Sequence, residues 1–142
     1  MSVPFVPPMD STTEEWWEGT KNSLFLLQHC ASCGYVQHPP RPLCTYCGMD
    51  DIQIAPSSGI GVVDSFTIVR RGAMEGFTPP YVVARVVLRE GPIILTNLVG
   101  CPPDDVSCGD VVTLAWLAIG DERQLPVFQL AGSEDTRSTA PD

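Results

Sequence analysis

Apolar and polar positions along this chain indicate strands over most of its length. From residue 59 to residue 68 the pattern alternates with a period of two, which is typical of a partly exposed strand. Other apolar runs of strand length are bounded by Gly and Pro turns. Two short strands are predicted at residues 24–29 and 35–37, and five more at residues 51–55, 59–68, 81–88, 93–99 and 110–119. These last five are the strands of a predicted second module. They predict a mainly β protein with a five-stranded antiparallel barrel, and the OB-fold is the barrel that fits best.

One helical pattern precedes the strands. Residues 1–9 are rich in proline and form a predicted extended arm, and two overlapping capping-box spacings within 11–15 predict a helix that ends near Ser23. Trp16 and Trp17 lie about 100° apart around such a helix, so they cannot point the same way. One can pack on the chain's own body while the other faces a partner. We therefore interpret this helix as a docking surface.

Four cysteines define the segment between the helix and the barrel. Cys30 and Cys33 form one CxxC pair, Cys44 and Cys47 form a second, and a glycine follows each pair. A two-residue gap allows a tight turn to aim both thiolates at one point, and glycine tolerates the positive φ that such a turn requires. Four convergent thiolates form a closed tetrahedral site that suits Zn²⁺. We predict a structural zinc ribbon over residues 24–55.

Other readings of the cysteines are weaker. Two disulfides would need an oxidising compartment, yet the N-terminus lacks the features of a secretory signal. An iron centre of rubredoxin type would use the same four ligands, so spacing alone leaves zinc and iron open. His29 and His38 flank the pairs, but four thiolates already complete the metal shell. Cys101 and Cys108 have no base or cation nearby in the sequence. We therefore expect both to be small buried hydrophobic residues and neither to be catalytic.

Charge narrows the functional classes. The 142-residue chain has 17 acidic and 8 basic residues, a net charge of −9, and Lys21 is its only lysine. Nucleic-acid binding requires clustered cations, so a nucleic-acid-binding zinc ribbon with an OB-fold is only the alternative reading. No apolar run approaches the roughly 18 residues that span a bilayer. We expect a cytoplasmic protein that binds neither membranes nor nucleic acid.

The predicted organisation has four parts. They are an arm and helix at 1–23, a zinc ribbon at 24–55, an OB-fold at 56–130 and a disordered tail at 131–142. The tail is rich in Ser, Thr, Asp and Glu, and such a segment cannot bury enough apolar surface to become ordered.

Three arginines lie on predicted loops rather than inside strands. Arg41 stands among three prolines between the cysteine pairs, so its loop is stiff. Arg70 and Arg71 open a glycine- and proline-rich loop that carries Met74 and Phe77. A guanidinium on a well-placed loop can bind phosphate with two parallel hydrogen bonds.

The order of these parts resembles the DUF35 family. The matching runs are WWEG at 16–19, PPRPLC at 39–44, PPYVVA at 79–84 and LTNLVG at 95–100. The resemblance covers roughly residues 13–130. No single run is decisive, but the ordered set is specific.

This resemblance implies a rubredoxin-like zinc ribbon joined to an OB-fold, in a family described as acyl-CoA-associated. It also implies a partner with a thiolase fold. Such partners include acetoacetyl-CoA thiolases, sterol-carrier-type thiolases, retro-aldolases of steroid side-chain breakdown and benzoylsuccinyl-CoA thiolase. The chain would then be a non-catalytic subunit that assists acyl-CoA binding or transfer and stabilises the complex. Arg41, Arg70 and Arg71 are the candidate contacts to coenzyme A.

Overall fold

The structure is a computed structural model that describes residues 4–72 and 76–132. One helix, α1 (Glu14–Lys21), precedes all strands, and a 3-10 turn covers Pro103–Asp105. The strands are β1 (Leu26–Cys30), β2 (Val36–Gln37), β3 (Ile52–Pro56), β4 (Ile60–Val69), β5 (Tyr81–Leu88), β6 (Ile93–Leu98), β7 (Val111–Ala118) and β8 (Gln124–Leu130). No helix in this part of the chain has the length and apolarity to cross a membrane. The predicted tail from residue 133 onward, and Met74, lie outside the described residues.

The first three strands form a small sheet in the order β2-β1-β3, so the ribbon is centred on β1. β3 pairs antiparallel with β1 along its whole length, from Leu26 opposite Pro56 to Cys30 opposite Ile52. The predicted strand at 51–55 therefore belongs to the ribbon and is not one of the five barrel strands.

The other five strands close into a barrel in the order β4-β5-β6-β8-β7. The prediction of a purely antiparallel barrel was wrong in one respect, because β6 and β8 pair in parallel at Leu98 and Phe128. A closed ring with an odd number of strands cannot alternate direction at every interface, so at least one pair must be parallel. β8 itself was not predicted, since Pro126 interrupts its apolar pattern and proline is disfavoured inside strands.

The barrel interior is filled by alternate residues of its strands. Val82, Ala84, Val86 and Leu88 of β5 all point inward and are almost fully buried, which is the period of two expected for a strand with one solvent face. Phe128 of β8 is completely buried in the same core. The pairing of the long strand β4 with β5 has a register shift between Val63 and Ser65, and the first residues of β4, 60–62, also pair with β7.

Helix α1 joins the ribbon to the barrel. Trp16 and Trp17 are both buried, and their rings contact each other edge to face with centroids 4.7 Å apart, so the prediction that one of them is exposed for docking was wrong. The ring of Trp16 lies against Phe25 and His38 of the ribbon, with centroids 5.7 and 5.5 Å away. The ring of Trp17 lies 4.8 Å from the Arg123 guanidinium, next to β8. Each tryptophan thus packs on a different module of the same chain.

Hydrogen bonds fix the helix and the arm to the barrel. The side-chain amide of Gln124 donates to the Thr20 carbonyl at 2.8 Å, and the Gln124 N–H donates to the Thr20 hydroxyl at 3.2 Å. Arg123 is only 4% exposed and donates from Nη1 to the Pro7 carbonyl at 2.9 Å. Because these bonds join residues more than 100 positions apart, they hold the two ends of the described chain together.

Candidate metal centre

The four cysteine side chains of the ribbon converge on one point. Their Sγ atoms all lie within 4.8 Å of one another, and no other group of at least three His, Cys, Asp or Glu among the described residues is arranged to hold a metal. The Sγ atoms of Cys30 and Cys47 are 3.6 Å apart, and those of Cys33 and Cys44 are 3.7 Å apart. A tetrahedron with Zn–S bonds of about 2.3 Å has edges of about 3.8 Å, so these thiols fit Zn²⁺.

Two equivalent turns place these thiols. The Gly34 N–H donates to the Cys30 carbonyl at 2.8 Å, and the Gly48 N–H donates to the Cys44 carbonyl at 2.9 Å. Both glycines have positive φ, 79° and 80°, which residues with a Cβ rarely adopt. The glycine that follows each CxxC pair is therefore required by the turn, as the sequence predicted.

The environment of Cys44 favours its thiolate form. The backbone N–H groups of Cys47 and Tyr46 point at Cys44 Sγ from 3.5 and 3.4 Å, and they lower the pKa of this thiol to about 7. A thiolate is the form that binds a metal. Since four sulfurs complete a tetrahedral shell, such a site leaves no position for a substrate or water and has a structural role.

A buried glutamine supports the second cysteine turn, and sequence reasoning missed it. Gln37 is 5% exposed; its Oε1 accepts from the Thr45 N–H at 2.8 Å, and its Nε2 donates to the Leu43 carbonyl at 3.1 Å. Nε2 also donates to Gln28 Oε1 at 2.8 Å. These bonds hold both residues that flank Cys44. A polar residue inside an apolar strand pattern was the only signal for this role.

The histidines are not part of the cysteine cluster. His38 lies between the rings of Trp16 and Phe25, at centroid distances of 5.5 and 5.0 Å. Burial, and then the positive charge of Arg41, lowers the pKa of His38 to about 4. Its Nδ1 is enclosed and has no hydrogen-bond partner among the described residues. His38 is therefore a neutral, partly buried residue near pH 7.

Arg41 lies at a cleft between the ribbon and the turn that joins β5 to β6. The cleft has a volume of about 700 Å³, and its walls include His38, Thr45, Glu90 and Ile93. The backbone of Arg41 is held at both ends, because its N–H donates to Gln28 Oε1 at 2.9 Å and its carbonyl accepts from Gln28 Nε2 at 3.0 Å. The stiff loop predicted around Arg41 is thus fixed to β1.

Arg70 and Arg71 lie at the other end of the barrel. They follow β4, whose last residue Val69 pairs with Tyr81, whereas the turn beside Arg41 follows the far end of β5. An eight-residue strand is about 26 Å long, so the three arginines do not form one cluster. Among the residues that the structure describes, none of the three guanidiniums forms an ion pair.

Cys101 and Cys108, the remaining cysteines, are not part of the metal cluster. Cys101 is partly buried; burial, followed by the charges of Asp105 and Asp110, raises the pKa of its thiol, which disfavours the reactive thiolate. Cys108 is exposed, so the prediction that it is buried was wrong.

The fold and the metal centre define a class of protein in which a four-cysteine zinc ribbon precedes a small β-barrel. Two family models match this chain, the rubredoxin-like zinc ribbon domain of ChsH2 at residues 17–53 and the C-terminal OB-fold domain of ChsH2 at residues 55–117. The chain therefore belongs to the ChsH2-type DUF35 family, as its motifs indicated.

Individual relatives agree with this assignment. A probable enoyl-CoA hydratase alpha subunit of Thermomonospora curvata is 38% identical over 88% of this chain, and a DUF35 domain-containing scaffold protein of Pyrococcus furiosus is 33% identical over 66%. The chain spans 39% of the hydratase subunit and 70% of the scaffold protein. A solved structure described as an Ltp2-ChsH2(DUF35) aldolase includes a chain that is 38% identical, with a TM-score of 0.82, covering 89% of this chain and all of that one.

Proposed function

We propose that this chain is a zinc-binding, non-catalytic subunit of a heteromeric acyl-CoA enzyme whose catalytic subunit has a thiolase fold. That enzyme would be a thiolase or a retro-aldolase. The observation that carries the proposal is the similarity to the DUF35 chain of the Ltp2-ChsH2 aldolase, which extends over that entire chain. The name of the hydratase relative, an alpha subunit, also fits a protein that works with a second chain.

The chemistry of the described residues supports a non-catalytic role. The metal centre offers no open coordination position if its four thiolates bind zinc, and the raised pKa of Cys101 makes that thiol a poor nucleophile. The reacting groups would then belong to the partner. This subunit would stabilise the complex and help to hold the acyl-CoA.

Arg41 is the best-placed contact to coenzyme A. Its loop is held by Gln28 and it lies at a cleft large enough for part of a cofactor. A guanidinium there can form two parallel hydrogen bonds with a phosphate. Arg70 and Arg71 lie near the opposite end of β5, a strand about 26 Å long, so they would contact another part of the acyl-CoA or the partner subunit.

Complex formation is the first test. The tagged chain would be purified from its native host and the proteins that co-purify with it identified, and purified chain would be mixed with Ltp2 in a size-exclusion experiment. We expect a thiolase-fold acyl-CoA enzyme in the first case and a stable complex in the second. A chain that stays alone in both experiments would contradict the proposal.

The arginine contacts are tested by kinetics of the reconstituted complex. Arg41→Ala should raise KM for acyl-CoA about tenfold or more, because a charge-assisted bidentate contact contributes roughly 1.5–3 kcal/mol. Arg70→Ala and Arg71→Ala should raise KM as well. Arg85→Ala is the matched control, since this barrel arginine pairs with Asp64 at 3.4 Å on the surface. Unchanged KM for all three test variants in an intact complex would remove these residues from the coenzyme A site.

A further inference from the structure

Four large apolar side chains are exposed around the two cysteine turns, and we call them the tip patch. They are Tyr35, Leu43, Tyr46 and Met49, which are 43, 51, 76 and 50% exposed. The rings of Tyr35 and Tyr46 stack on each other, with centroids 5.4 Å apart and planes 21° apart. The two rings therefore form a preorganised apolar surface, and placing such rings at an interface costs little conformational entropy.

The ribbon does not need these side chains for its own core. Its largest buried apolar side chains, Phe25 and Leu27, belong to the same core cluster as Trp16, Trp17 and the barrel residues and are at most 2% exposed. None of the four side chains of the tip patch belongs to that core cluster, and Tyr35 also lines the cleft at Arg41. An exposed cluster of large apolar residues at one end of a small module is typical of a protein interaction site.

The charge around the tip patch determines what kind of surface fits it. Residues 30–51 contain two carboxylates, Asp50 and Asp51, and one cation, Arg41. Four thiolates around a divalent ion carry a net charge of about −2, so this end of the ribbon has a total charge of about −3. Two of the sulfur-bearing residues, Cys33 and Cys47, are exposed and bring this charge close to the surface.

We propose that the tip patch is a docking surface for a partner protein that presents apolar side chains surrounded by Arg and Lys. The existence of that partner rests on the proposed function; the location and chemistry of the contact rest on the tip patch itself. A second copy of this chain fits poorly, because a two-fold interface would bring the same negative charges together. A nucleic acid fits poorly for the same electrostatic reason.

The test measures the affinity and the association rate of the zinc-loaded chain with Ltp2 by surface plasmon resonance at several salt concentrations. Tyr46→Ala and Leu43→Ala should each weaken binding at least about tenfold, since truncation of a central apolar anchor commonly has an effect of this size. Asp50→Asn should slow association and reduce its dependence on salt. Phe5→Ala is the matched control, because Phe5 is an aromatic residue of the arm that is 71% exposed; we expect less than about a twofold change.

Zinc content and thermal midpoint are measured for every variant, so that lost binding cannot be confused with lost folding. If the wild-type chain binds Ltp2 and all tip-patch variants bind equally well, the docking surface is wrong while the proposed function stands. If the wild-type chain binds neither Ltp2 nor a co-purifying thiolase-fold enzyme, the proposed function and this inference both fail. If Tyr46→Ala instead abolishes self-association of the chain, the occupant is a second copy and the proposal is overturned.

Discussion

His38 should make the stability of this protein depend on pH in a way that one substitution removes. The imidazole is partly buried between Trp16 and Phe25, and its Nδ1 has no hydrogen-bond partner in the described part of the chain. Burial and the neighbouring Arg41 lower its pKa from 6.5 to about 4. Protonation is therefore unfavourable in the folded state and easy in the unfolded state.

The direction of this pH dependence follows from proton binding in the folded and unfolded states. Between about pH 4 and pH 6.5 the unfolded chain binds a proton at His38 that the folded chain does not bind, so the free energy of unfolding falls as the pH falls. A pKa difference of one is equivalent to about 1.36 kcal/mol, so the complete loss below pH 4 is about 3 kcal/mol. Between pH 7.5 and pH 5 the expected loss is about 2 kcal/mol.

The assay is urea unfolding of the zinc-loaded protein, followed by tryptophan fluorescence, at several pH values between 5 and 7.5. His38→Phe keeps an aromatic ring beside Trp16 and removes the titration, so its stability should fall about 2 kcal/mol less than that of the wild type over this range. His29→Asn, which replaces the histidine in β1, is measured in parallel. Metal loss in acid affects all three proteins and cancels in the comparison. Parallel curves for the wild type and His38→Phe would refute the reasoning.

Three further substitutions test the metal centre, the linker at residues 57–59 between β3 and β4, and the barrel. Cys44→Ser should leave the chain with well under one equivalent of zinc by elemental analysis and an unfolded ribbon, whereas iron in the wild-type protein would contradict the zinc assignment. Glu90→Gln should cost about 1 kcal/mol in urea unfolding, because the carboxylate accepts from the Ser58 N–H at 2.6 Å; equal stability would show that this bond does not hold the linker. Gly61→Ala should cost about 1–3 kcal/mol, since the new Cβ would lie 2.5 Å from a valine methyl and 2.9 Å from a carbonyl of β5, and the exposed Ser65→Ala in the same strand is the control.

Local features of the candidate site were predictable. The spacing of Cys30, Cys33, Cys44 and Cys47 is set by turns of a few residues, and the glycine after each pair reports the positive φ of the turn. The strands at 81–88 and 93–99 were also predicted nearly to their observed bounds, because their apolar runs are bounded by Gly and Pro. Short-range chain geometry is sufficient for both.

Long-range partners were not predictable. The closure of the barrel depends on β8, whose pattern is interrupted by Pro126, and on one parallel pair with β6. The supporting bonds of Gln37 join three separate segments, and the cleft at Arg41 exists only because the ribbon lies beside the β5–β6 turn. Residue patterns contain no direct information about such distant neighbours.

The two tryptophans show most clearly which features the sequence determines and which depend on the tertiary structure. The sequence by itself determined that the side chains of Trp16 and Trp17 leave the helix in different directions, because successive helical residues are rotated by about 100°. Only the tertiary structure decided what each one meets: Trp16 lies against Phe25 of the ribbon and Trp17 lies under Arg123. A helix held between two modules can bury two faces at once. The direction of a side chain is a property of its own helix, whereas its burial depends on elements that are distant in the chain.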